Sequence, residues 1–211
     1  QQRAPAEIIV VDDGSTDGTL AAARAEAEAD PRIRVIEGGR QGRARALNLA
    51  IRAAKGRYIA ILDADDIALP YRLRATLPVL EAHPALAMAC SEAIVFASNR
   101  ITHSTVLFRR TAWEQAGGYD ERLDICIDYA FYFRLLRIGG IGQTDAVTCL
   151  RERRDDSYFA ARRQRDYSNA LSVIRAEARS TMAIPLWAQL SATVRSVRLG
   201  AKHLCGQLHA S

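Results

Sequence analysis

Short apolar runs alternate with helix-spaced patterns along the chain. Glu7-Ile8-Ile9-Val10-Val11 is a β-branched run ending in Asp12-Asp13-Gly14-Ser15, which predicts a buried strand entering a turn. Ser15, Thr16 or Asp17 is placed to cap a helix over Thr19–Ala29, which Asp30-Pro31 stops. Residues 33–36 predict a second strand, closed by Gly38-Gly39. Between Gly42 and Ala54, the residues Ala46, Leu47, Ala50 and Ala54 share one helical face. Residues 57–62 predict a third strand, emptying into Asp63-Ala64-Asp65-Asp66, and Pro70 opens a helix to about residue 82. The middle is less regular. Strands are expected over 87–97 and 105–109 around a polar loop at 98–104, helices over 111–116 and 128–137, a turn at 117–121 and a last strand over 146–150. Past Arg151 an Arg-rich helix is expected over about 158–182, with a second amphipathic stretch beyond Pro185 to Leu208.

Strand and helix alternating over the first 85 residues predict an α/β fold whose mostly parallel sheet has helices on both faces and binds ligands beyond the strands' carboxyl ends. Both acidic clusters fall at such ends, so Asp12-Asp13 and Asp63-x-Asp65-Asp66 are expected to share one crevice. Carboxylates brought together repel, and a divalent cation on Asp63-x-Asp65, bridging a diphosphate, would compensate them. Mg²⁺ and Mn²⁺ prefer such oxygen donors. The plainer alternative is that these aspartates cap helices and make turns.

The 211 residues suit one domain, residues 1–157, followed by a basic helical tail, 158–211. With 49% hydrophobic and 25% charged residues the chain is neither disordered nor fibrous. No stretch approaches the roughly 18 apolar residues of a membrane span. No apolar signal core follows Gln1 to Pro5, so a cytoplasmic location is expected. Cys90, Cys126, Cys149 and Cys205 form no CxxC pair and read as free thiols of a reducing compartment. The charge is unevenly spread. Residues 1–150 carry 18 basic and 19 acidic side chains, residues 151–211 carry 11 and 5. That tail is expected either to dock on the domain or to touch anionic membrane peripherally.

In order along the chain, these segments resemble the inverting nucleotide-sugar glycosyltransferases of GT-A fold, glycosyltransferase family 2. Residues 7–19 look like that family's nucleotide-binding strand and turn. Gly42-Arg43-Ala44-Arg45-Ala46-Leu47-Asn48 is similar to its "G…A-x-N" helix, and residues 56–66 to the strand carrying its DxD. Phe108-Arg109-Arg110, Gly117-Gly118-Tyr119-Asp120-Glu121 and Asp128 to Leu135 resemble its acceptor-side segments. The resemblance implies that Asp12 binds the nucleotide base with Asp13 close by, that Asp63 touches the ribose, and that Asp65 holds Mg²⁺ or Mn²⁺ on the diphosphate. Ser15, Gly42, Arg45, Asn48 and Ala64 join the implied nucleotide-sugar-binding set, with Arg43 and Arg45 near the phosphates. Asp128 is the implied catalytic base, with Asp120 and Glu121 as rivals. The implied partners are a UDP- or dTDP-sugar donor and a saccharide or lipid-linked acceptor, with no nucleic acid.

The chain departs from the family pattern in several places. The family's usual first strand is not present before the Asp12-Asp13 turn, so a preceding segment or an oligomeric partner is expected to complete the sheet. Ile127 replaces the Glu of the acceptor-side "Glu-Asp", Leu47 replaces an Arg, and Leu150-Arg151-Glu152-Arg153 replaces "Tyr-Arg-x-His". The QxxRW motif of processive synthases is absent, which favours transfer of one or a few sugars. A receiver domain is a poor alternative, because it needs a Lys at a later strand end and none lies between Lys55 and Lys202. A sugar nucleotidyltransferase would need a Gly-rich N-terminal loop. A non-catalytic remnant of a transferase is the other alternative. His103, a lone histidine in a loop, is set aside as neither ligand nor contact.

Overall fold

The computed structural model describes residues 1–91, 101–151 and 164–182. The end of the expected 87–97 strand, the first three residues of the polar loop, the start of the 158–182 helix, the stretch beyond Pro185 and Cys205 lie outside these residues.

The first half follows the expected alternation. Strand β1 (Ile8–Asp12) leads into helix α1 (Thr19–Ala29), then β2 (Ile33–Glu37) and α2 (Arg43–Ala53). β1 and β2 pair in parallel, with Val10 opposite Val35. Asp17 accepts a hydrogen bond from the Thr19 N–H (2.9 Å) at the start of α1. α1 buries none of its residues fully, whereas α2 buries Ala44, Asn48 and Ile51.

The second half is a mixed sheet of β3 (Tyr58–Ala60), β6 (Leu107–Arg109), β5 (Leu86–Cys90) and β7 (Gly140–Gln143), in that spatial order. β3–β6 and β5–β6 are antiparallel and β5–β7 is parallel, so the expected mostly parallel sheet is corrected to a mixed one. The reason is one reversed strand: β6 lies between β3 and β5 and runs antiparallel to both, while β5 and β7 run the same way. A separate antiparallel ribbon joins β4 (Asp66–Ala68) to β8 (Cys149–Arg151). Neither β4 nor β7 was expected, since each is a short run without apolar alternation.

Helix α3 (Arg72–Ala82) packs on β5, and α4 (Arg110–Gln115) leads to α5 (Ile127–Ile138). α5 inserts Ile127, Phe131, Tyr132 and Leu135 into the main core with Met88, Val106 and Phe108. Its other face, Tyr129, Ala130 and Phe133, receives Leu171, Ile174 and Ala178 of α6 (Gln164–Thr181). The apolar stripe of α6 is therefore docked on the domain. The membrane-contact expectation then rests on residues 183–211, outside the described set.

Among the described residues no backbone ladder joins the β1–β2 pair to the four-stranded sheet. Side chains tie them instead. At the base, the Glu7 carboxylate accepts from the N–H groups of Lys55 (2.6 Å) and Gly56 (2.9 Å), just before β3.

Candidate active site

Asp12 closes β1 and is buried. Its Oδ2 accepts from the N–H groups of Gly14 (3.1 Å) and Ser15 (3.2 Å), while Oδ1 is buried with no hydrogen-bond partner. The Ser15 hydroxyl and these backbone donors, working against the cost of burial, hold the carboxyl below its ordinary value. Asp13 reaches the loop that opens α2, where Oδ1 accepts from Gln41 N–H (2.8 Å) and Oδ2 from Gly42 N–H (2.7 Å). Gly42 sits there at φ +92°, a conformation that disfavours any side chain. Asp13 and Gly42 thus set the position of the first turn of α2.

Asp63 lies just past β3. Its N–H donates to Ser104 Oγ (2.9 Å), and its Oδ1 accepts from Arg43 Nη2 (2.6 Å) with His103 Nδ1 at 3.7 Å. Burial opposes its charge, and the Arg43 guanidinium on Oδ1 works against that cost and holds the carboxyl below its ordinary value. Buried Arg72 donates to the carbonyls of Ile61 and Val106, pinning the strand ends below this turn.

Ala64 and Asp65 are exposed at the tip of the turn. Asp63, Asp65 and Asp66 each offer a carboxylate oxygen within 4.8 Å of the others, and Asp66 Oδ1 is buried without a hydrogen-bond partner. Three carboxylates this close, one oxygen buried and unpaired, fit a hard divalent cation: the donor set is all oxygen, as Mg²⁺ and Mn²⁺ require.

Asn48, on α2, is turned inward and only 2% exposed. Its Oδ1 accepts from Tyr119 N–H (2.8 Å), and its Nδ2 donates to Tyr119 O (2.9 Å) and Glu121 Oε1 (2.9 Å). Asn48 thus holds the 117–121 turn through both its oxygen and its nitrogen. A Cβ at Gly118, itself at φ +74°, would lie 2.8 Å from Asn48 Oδ1. Arg45 is half exposed with Nε 3.4 Å from Glu121 Oε2, and Arg43 alone of the two arginines enters the carboxylate cluster.

Asp128 is half-buried in the first turn of α5, behind Cys126 at φ +56°. Burial pushes the Cys126 thiol up to about 12, which keeps it unreactive. Burial dominates at Arg43, Tyr119 and Tyr132, and the charge of Asp128 favours the cationic form of Arg43, as that of Asp63 does, while disfavouring ionised Tyr119 and Tyr132. Asp120 receives Arg122 Nε (2.9 Å) and Nη2 (2.8 Å), and Glu121 receives Asn48 and Arg52.

Sequence reasoning passed over His103, Ser104 and Arg72. One signal was available for the first two. A strand antiparallel to β3 begins where β3 ends, so residues just before β6 reach the Asp63 turn.

The architecture is that of the GT-A α/β transferases, and solved structures share it. A mannosyltransferase of Pyrobaculum calidifontis, in complex with GDP-Man and Mn²⁺, superposes with a TM-score of 0.68 at 23% identity, over 96% of this chain and 71% of that one. S. aureus TarS 1-349, in complex with UDP-GlcNAc, gives 0.70 at 17% identity, over 88% and 61%. The chain belongs to glycosyl transferase family 2, whose family model matches residues 1–141. Among curated relatives, Escherichia coli chondroitin synthase is 29% identical over 160 residues, covering 63% of this chain and 22% of the relative. The succinoglycan biosynthesis protein ExoO of Rhizobium meliloti (strain 1021) is 47% identical over 75 residues, covering 35% and 21%. The chain thus spans about a fifth of the length of these two relatives. Among the described residues no helix is long and apolar enough to cross a membrane.

Proposed function

We propose that the chain transfers a sugar, with inversion, from a nucleoside diphosphate sugar to an acceptor hydroxyl, with Mg²⁺ or Mn²⁺ in the donor site. The observation that carries this reading is the gathering of Asp63, Asp65 and Asp66 beside the turn that Asp12 and Asp13 organise. The unpaired, buried Oδ1 of Asp12 suits the ring N–H of a uracil or thymine base, in keeping with a UDP- or dTDP-sugar. The structural neighbours in complex with GDP-Man and with UDP-GlcNAc support a donor of this general class. Asp63 faces the ribose, and Asp65, with Asp66 beside it, holds the cation. The bound cation would neutralise the diphosphate leaving group.

Asp128, half-buried in the first turn of α5, takes the proton of the attacking hydroxyl, and its charge, like that of Asp63, favours the cationic form of Arg43. The acceptor is a saccharide or a lipid-linked saccharide, and transfer is non-processive, in line with the missing QxxRW motif. Among the described residues β1 pairs only with β2 and β3 only with β6, which supports the expectation that a further strand completes the sheet.

The test is a thermal-shift panel of UDP, dTDP and GDP sugars with Mn²⁺ or with EDTA. Stabilisation by a uridine or thymidine donor with Mn²⁺, lost in EDTA and in Asp65→Asn, is the expected result. Equal binding with EDTA would remove the metal from the reading, and binding of none of the donors would overturn it.

A further inference from the structure

Sequence alone gave His103 no role, yet its buried ring stands between the two sides of the site. Nδ1 lies 2.8 Å from Arg43 Nη2, and Nε2 lies 2.7 Å from the Tyr119 hydroxyl. A guanidinium is a donor only, so Nδ1 accepts and the ring hydrogen sits on Nε2, donating to Tyr119. An imidazolium here would set one cationic donor against another.

The contacts close into a circuit. Arg43 and Asn48 both stand on α2. Asn48 grips the backbone of Tyr119 on both N–H and C=O, the Tyr119 hydroxyl receives His103, and His103 receives Arg43, which bonds Asp63 Oδ1. Ser104, the next residue, accepts from the Asp63 N–H. Two consecutive residues therefore fix both the backbone and the charged partner of one carboxylate. On the far side the Tyr119 ring packs on Phe131 of α5 at 4.4 Å, one turn beyond Asp128.

We propose that His103 is a positioning residue that couples the donor side of the site to the acceptor side. As an Nε2–H tautomer it holds Arg43 on Asp63 Oδ1, leaves Oδ2 outside that contact for a ligand, and sets the distance between Asp63 and the α5 end that carries Asp128. An imidazole suits this task because it is rigid and presents an acceptor and a donor on opposite sides of one ring. The assignment rests on the transferase reading above for its ligand, and on the hydrogen bonds for its geometry.

The two halves of the ring can be separated by substitution. In His103→Asn the amide oxygen reaches the place of Nδ1 and can still accept from Arg43. In His103→Gln the amide nitrogen reaches the place of Nε2 and can still donate to Tyr119. UDP, dTDP and GDP are titrated by calorimetry with Mn²⁺ against the full chain and each variant, with urea unfolding alongside. For the nucleotide that wild type binds, loss of one charge-assisted hydrogen bond predicts about tenfold weaker affinity in His103→Ala and His103→Gln. His103→Asn is expected to recover most of that loss. All three are expected to lower kcat beyond their change in KM, because the acceptor side shifts as well. Ring ¹⁵N shifts of wild-type His103, assigned with the Asn variant, are expected to show a bare Nδ1 and a protonated Nε2. A protonated Nδ1, an Ala variant with unchanged affinity, or Gln outperforming Asn would each overturn the proposal. Wild-type protein that binds none of the nucleotides would overturn the donor reading and the coupling role. The ¹⁵N spectrum would then still decide the hydrogen-bond assignment by itself.

Discussion

The β1–α1–β2–α2 half and the four-stranded half with α5 are built on different physics. In the first, no residue of α1 is buried, the aliphatic residues of β1 remain half-covered, and polar clamps set the geometry: Glu7 on residues 55 and 56, Asp12 on 14 and 15, Asp13 on 41 and 42. In the second, β5 is buried along most of its length and α5 is buried on two faces. Asp12 and Asp13 stand on a half whose turns are drawn up by hydrogen bonds and which still carries an unpaired buried oxygen. Asp128 stands on a helix fixed by apolar packing. Ligand binding is expected to stiffen the first half and to leave the second as it is.

The largest expected effect comes from the chemistry on the rigid half. Asp128→Asn is expected to lower transfer by about 10²–10⁴ while leaving nucleotide binding and unfolding unchanged, the usual weight of general-base catalysis. Steady-state kinetics beside calorimetry checks it, and near-normal transfer would hand the role to Glu121 or Asp120.

Phe131→Ala tests the packing itself. The ring is fully buried, with centroids 5.2 Å from Phe108 and 4.4 Å from Tyr119, and its loss is expected to cost about 3–5 kcal/mol in urea unfolding. Leu20→Ala on α1 is expected to cost about 1 kcal/mol, as fits a partly covered side chain. Equal costs would erase the contrast between the halves.

Asp13→Ala removes the acceptor of two backbone N–H groups and is expected to cost about 1–3 kcal/mol. It should also weaken nucleotide affinity, because α2 carries Arg43 into the site.

The pH dependence of Asp63 is a smaller effect. Its folded value is depressed, so its contribution to stability is fully present above the unfolded carboxyl value of about 3.9 and fades as pH falls from there toward the folded value. Asp63→Asn is expected to flatten that acid limb in urea midpoints measured across pH, and an unchanged limb would argue against the Arg43–Asp63 pair. The smallest effect belongs to the exposed Arg24–Glu37 pair, where Arg24→Ala is expected to change stability by no more than about 0.5 kcal/mol.

Much of this molecule was legible in its sequence because the signals are local. A β-branched run ending in aspartates and glycine predicts a strand and its turn, and β1, α1, β2 and α2 fall within a residue or two of their expected positions. The expectation that the two acidic clusters meet comes from parallel strands; the structure links them through the start of α2, where Gly42 bonds Asp13 and Arg43 bonds Asp63. The short strands β4 and β7 lack such a signal: they are held by the neighbours they pair with.

What the sequence by itself determined was the set of strand-end carboxylates and the α/β alternation, because hydrophobic spacing and turn chemistry act between near neighbours. Tertiary structure alone decided which cation meets them. Arg43 and Arg45 are two residues apart, about 200° around a helix, so only one can face the carboxylates. The clamp of Asp13 on Gly42 set the rotation that chose Arg43. Packing of the whole domain also turned Asn48 into the core and brought His103 across some 60 residues of chain to the same guanidinium. Such contacts join residues that share no local pattern, and only packing brings them within hydrogen-bond reach.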